Sequence, residues 1–169
     1  MRHGTRLRLL VAVTAAIFGA ACLSDPGHAE GEKRLSSGQT VYVPAYQSIA
    51  IAVSKKPRRL PLTTTLSIRN TDPERQITIV SVKYFAANGY LIKNLLEKPE
   101  TLDPLGVMSF VPEGPKEKRE EAETSFIVIW KAVGKEASWP IMQAVMIGAA
   151  GQQGISFVCD GQVIRSANQ

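Results

Sequence analysis

Apolar and polar positions alternate with a period of two along much of the chain. In LTTTLSIRN (62–70), Leu62, Leu66 and Ile68 fall on one side and Thr63, Thr65, Ser67 and Arg69 on the other, the mark of a strand with one buried face. QITIVSVKYF (76–85), SFIVIWKAV (125–133) and ISFVCDGQVI (155–164) are β-branched and aromatic and read the same way, with Trp130 on the apolar side as a core residue. TVYVPAY (40–46), SIAIAV (48–53), YLIKNLL (90–96) and VMSFV (107–111) are shorter runs of the same kind. IMQAVMIGA (141–149) predicts a further strand, although PIMQAVMIGAA also fits a short helix.

The turns between these runs have their own chemistry. Asn88-Gly89 predicts a tight hairpin turn with positive φ at its central residues. In NTDPER (70–75), Asn and Asp side chains can accept from backbone N–H groups two residues on, and Pro73 presets φ, so a turn is expected there. GAAGQQG (148–154) predicts a glycine-rich hairpin and not a phosphate cradle, because a strand follows it where a cradle needs a helix. PEGPKEKREEAE (112–123) reads as a mobile, charge-balanced loop and KKPRRLP (55–61) as a basic connection. About eight to nine strands with Gly and Pro turns predict an all-β, antiparallel immunoglobulin-like sandwich.

The first thirty residues stand apart. MRHGTRLR carries Arg2, Arg6 and Arg8, and LLVAVTAAIFGAACL after it has no charge, the pattern of a secretory signal too short to span a membrane. Two processing sites stand open: Gly19-Ala20-Ala21 before Cys22, giving lipid attachment at Cys22, or Gly27-His28-Ala29, giving cleavage after Ala29. The expected organisation is a signal over 1–29 (1–21 for a lipoprotein), a tether over 30–38, and one domain over 39–169. Either site implies export to the periplasm, in soluble or lipid-anchored form.

Removing the leader lowers the charge. Of 20 Lys and Arg, 17 remain in 30–169, against 14 of the 15 acids, so net +5 becomes +3 and gives no argument for a nucleic-acid partner. Both histidines, His3 and His28, precede Ala29. A chain beginning at Glu30 has no imidazole to serve as a general base, and its one thiol, Cys159, has no second cysteine for a metal or disulfide. No cofactor and no metal are expected, and Cys159 reads as a buried, inert hydrophobe.

Residues carrying NTDPERQITIVSVKYFAANGYLI, then TLDPLGVMSF and AVMIGAAGQQGISF, resemble an uncharacterised family of exported bacterial proteins, domain of unknown function 3124, across residues 38 to 165. The same order of strands and turns is similar to immunoglobulin-like and fibronectin-like accessory domains. The resemblance implies an exported compact domain and brings no catalytic residue. What remains for binding is Arg69, Asn70, Asp72 and Arg75 around the first turn, and Trp139, a large aromatic before Pro140. The expected function is a non-enzymatic module that binds an envelope protein, with a small-ligand carrier or carboxylate-pair enzyme as the alternative.

Overall fold

A computed structural model describes residues 34–51, 58–113, 123–150 and 153–167. The described chain is all β and contains fourteen strands. β1 (Leu35–Ser36), β2 (Gly38–Tyr46), β3 (Ser48–Ile51), β4 (Arg58–Pro61) and β5 (Thr63–Arg69) come first. β6 (Ile77–Ala86), β7 (Leu91–Asn94), β8 (Glu100–Leu102) and β9 (Val107–Phe110) follow, then β10 (Glu123–Ala132), β11 (Ala137–Ser138), β12 (Ile141–Ala150), β13 (Gln153–Asp160) and β14 (Gln162–Ser166).

Two sheets enclose the core in a sandwich-like arrangement, and every pairing is antiparallel. The larger has the order β14-β2-β10-β6-β7, with β8 also on β6; the smaller has the order β13-β12-β5-β9. β1 pairs with β11, and β3 with β4. Between the sheets lie Val41 and Val43 of β2, Phe126, Val128 and Trp130 of β10, Leu66 and Ile68 of β5, and Met142, Ala144 and Met146 of β12. Two aromatic polar tips within this core have partners: Gln47 Nε2 donates to the Tyr84 hydroxyl at 2.7 Å, and the Trp130 indole N–H to Gln39 Oε1 at 3.3 Å.

One residue sets the phase of β6. Its register with β10 runs from Ile129↔Ser81 to Trp130↔Ile79, which leaves Val80 unmatched in a β-bulge. Buried positions accordingly fall at Ile77 and Ile79 before the bulge and at Val82, Tyr84 and Ala86 after it. In an unbroken strand the first pair and the last three would face opposite ways.

Gly161 turns the chain from β13 in one sheet to β14 in the other. Its N–H donates to Met142 O at 2.8 Å, and a Cβ there would meet Val41 Cγ1 at 2.7 Å and Met142 O at 2.9 Å. β14 then runs beside β2 until the Ala167 N–H reaches Gly38 O at 2.9 Å, so the last described residue lies beside the start of β2.

Several details depart from the sequence expectations. The strands number fourteen against about eight to nine, because pieces such as β1, β8 and β11 are two or three residues long and carry no visible period. Residues 141–150 are strand, not helix, held between β5 and β13. At Asn88-Gly89 only the glycine has positive φ, 81°. Gly89 N–H donates to Ala86 O and Ala86 N–H to Tyr90 O, so the loop has three residues with Gly in the left-handed position, not a two-residue turn. β1 lies within the stretch expected as a tether. The β12–β13 hairpin is present, with register closing on Ala150↔Gln153. The leader with Cys22 and Ala29, Lys55, Lys56 and residues 114–122 of the charged loop lie outside the described residues.

Candidate functional site

The NTDP segment leaves β5 and enters the interior. Asn70 is buried; its side-chain N–H groups donate to Arg75 O at 2.8 Å and Asp103 O at 2.9 Å, and its Oδ1 accepts from the Asp72 N–H at 3.0 Å. One amide therefore closes its own turn and clamps the β8–β9 connection 33 residues away. The main chain adds Asn70 N–H to Gly106 O at 2.9 Å and Leu105 N–H to Asp72 O at 3.2 Å. Leu105 takes a left-handed φ of 59° there, unusual for a residue other than Gly, Asn or Asp.

Asp72 is fully buried, and both its oxygens are occupied. Oδ1 accepts from the Glu74 and Arg75 N–H groups, each at 3.0 Å; Oδ2 accepts from the Ser138 N–H at 2.9 Å and the Ser138 hydroxyl at 3.0 Å. Burial pushes the carboxyl pKa up, but these four bonds, led by the Ser138 N–H, outweigh it and hold the pKa well below the usual carboxylate range. Arg75, partly exposed, places Nη1 3.7 Å from Oδ2. A carboxylate so committed has no lone pair turned toward a cleft, and its chemistry is that of a tie between β11 and the turn.

Trp139 belongs to the same knot. Its carbonyl accepts from the Thr71 hydroxyl at 2.7 Å, its N–H donates to Arg34 O at 3.0 Å, and its indole N–H donates to Leu35 O at 3.2 Å. The Arg34 guanidinium lies 5.3 Å from the ring centroid, a cation–π contact. Trp139 thus fastens β1, and its ring is half-buried rather than free for a partner. The structure brings four of the five candidates together, Asn70, Asp72, Arg75 and Trp139, and uses all four internally.

Arg69 is the exception. It ends β5 on the outer face of the four-stranded sheet, exposed, between Val107 of β9 and Ile141 of β12 in register. Val107 is 50% and Ile141 46% exposed. The same face carries Val158 (51%) and Ile147 (59%), while Val145 pairs with Val158 and with Thr65, and Ile147 with Thr63 and Ser156. The face thus carries two β-branched patches, Val107 and Ile141 beside Arg69, and Val145, Ile147 and Val158 with Thr63 and Thr65, with the polar row Ser109, Ser67, Gln143 and Asp160 between them. The sequence signal for it was present: three of the four odd positions of 141–147, Ile141, Val145 and Ile147, are apolar like the even ones, as happens when both faces of a strand meet apolar surroundings.

A cleft of about 390 Å³ opens at the β9 edge, floored by Leu96, Met108 and Phe110 and rimmed by Glu97, Lys98 and Glu100. Among the described residues no group of three or more His, Cys, Asp or Glu could hold a metal ion. Cys159 is half-buried rather than buried; burial and the charge of Asp160 raise its thiol pKa.

Comparison with known proteins places these observations. The model of a family described as "Protein of unknown function (DUF3124)" matches residues 38–164, most of the chain, and the chain belongs to that family. No curated protein matches. Among solved structures, one titled "Crystal Structure of Thermotoga maritima 1070", from Thermotoga maritima, is similar with 10% identity and a TM-score of 0.41, covering 76% of this chain and 97% of that one.

Proposed function

We propose that this member of the DUF3124 family is an exported, non-enzymatic binding module. Its sheets form an immunoglobulin-like sandwich that docks an envelope protein through the outer face of the four-stranded sheet. The observation that carries the reading is Arg69, a cation with no partner among the described residues, flanked in register by the half-exposed Val107 and Ile141. Exposed apolar side chains grouped on one face mark contact surfaces, and Arg is a frequent anchor within them. Covering the exposed half of each of these Val and Ile side chains contributes on the order of 1 kcal/mol. The partner such a face fits is flat and apolar, with a carboxylate opposite Arg69.

The absence of imidazole after Ala29 and the full commitment of the Asp72 carboxylate support the non-enzymatic part. A small-ligand carrier draws its support from the cleft beside Phe110, whose volume lies near the lower end of ligand sites. Its rim is charged and open, so the apolar face is the better-supported surface.

The test is site-specific photocrosslinking in intact cells from Ile141, beside Arg69 and away from the β13 edge, with Tyr90, on the hairpin of the other sheet, as the control position. One adduct from Ile141, absent from Tyr90, lost in Arg69→Glu and restored by an Asp or Glu to Lys exchange in the captured protein, supports the reading. No adduct, or one indifferent to Arg69→Glu, overturns it.

A further inference from the structure

Sheet edges present unpaired backbone N–H and C=O groups, and proteins blunt them with short strands, bulges, prolines or charges. Among the described residues, the two larger sheets have four edges, and three of them carry such devices. β9 has four residues; β7 and β8, which share the other side of β6, have four and three; β14 is broken in register at Ile164 and carries Arg165. β13 carries none. Its eight residues keep unbroken register with β12 from Gln143↔Asp160 to Ala150↔Gln153, without Pro, Lys or Arg. Its one charge, Asp160, stands at the end and accepts from Gln143 Nε2 at 2.7 Å. Even its core-side residues are incompletely covered: Ile155 is 37% exposed, and Phe157 and Cys159 are only partly buried although packed against the core.

We infer that β13 is an association edge, to which a second copy of this chain adds its own β13, antiparallel, about a two-fold axis at Phe157. The strand is complementary to itself in that register. Ser156 stands opposite Val158 of the second copy, Ile155 opposite Cys159, and Gly154 opposite Asp160. The two Asp160 carboxylates lie about 20 Å apart along the strand direction, so no like charges meet. Ile155, Phe157 and Cys159 of each copy cover those of the other, the apolar alternation that the exposed core side lacks. Arg69 takes no part, so this inference stands or falls separately from the docking face.

Sedimentation of the purified full chain over a range of concentrations tests it, together with oxidation of a Ser156→Cys, Val158→Cys, Cys159→Ser variant. The expected result is a reversible dimer, weakened about tenfold or more by Ser156→Lys, equivalent to at least ~1.4 kcal/mol, with an unchanged thermal melt. The cysteine variant should form an intermolecular disulfide. A chain monomeric at every concentration, or a dimer indifferent to Ser156→Lys, overturns the inference. So does a disulfide dimer through native Cys159, because in this register the two Cys159 positions lie about 14 Å apart, beyond disulfide reach. A monomer that instead binds a heterologous extended peptide along β13 overturns the assignment to a second copy.

Discussion

Asp72 faces four donors that have no other acceptor at hand. Replacing it with Asn keeps one oxygen for the Glu74 and Arg75 N–H groups but turns an N–H₂ toward Ser138, whose hydroxyl can rotate to accept while its buried backbone N–H is left unpaired. Asp72→Asn should lower stability by about 3 kcal/mol, read from the midpoint of urea unfolding. The pH dependence has a definite sign. The native pKa lies below the unfolded one, so the unfolded chain takes up the proton first, and stability increases with pH through that window. The contribution is complete above about pH 5, erodes below about pH 4, and is lost only as pH falls through the native pKa. In Asp72→Asn the acid slope should flatten. The sequence made the local half of this site readable, because Asp72-Pro73 and the bonds to residues 74 and 75 are turn chemistry. The Ser138 half was not readable: a contact across 66 residues leaves no trace in local spacing.

At the scale of the element, β6 shows what alternation can and cannot convey. ITIVSVKYFA reads as a strand at once, but Ile77 and Ile79 are in odd phase and Val82, Tyr84 and Ala86 in even phase. Only a bulge reconciles them, and Val80 supplies it. Deleting Val80 should therefore restore a regular ladder and keep the fold, since Ile77, Ile79, Val82, Tyr84 and Ala86 then fall in one unbroken alternation against the same β10 partners. A cooperative urea transition with the near-ultraviolet aromatic signal of Tyr84 and Trp130 retained is the expected reading; loss of both would refute it. The long strands were legible because each buries one face. The short ones, β1, β8 and β11, owe their existence to partners far along the chain, and the outer face of β12 escaped notice because an apolar outward row looks like core until the register shows which way it points.

For the whole molecule, the separation between what holds the fold and what faces outward bears on compartment as well as on partners. Stability rests on packing and on buried ties rather than on a disulfide, since a chain beginning after the proposed leader has a single cysteine. Intact mass of the protein recovered from cells should show a lipid-modified Cys22 or a free Glu30 at the N-terminus; a chain still carrying Met1 and Arg2 would refute export. The meeting of Ala167 with Gly38 has a mechanical consequence. β2 and β14 are antiparallel neighbours whose outward-leading ends lie side by side, joined there by one 2.9 Å hydrogen bond. A load pulling these ends apart acts on the rungs of that ladder one after another, like a zipper, instead of shearing them together. Under tension from both ends β14 would peel first, because β1, just before β2, is held in addition by β11 and by the Trp139 bonds that belong to the knot around Asp72.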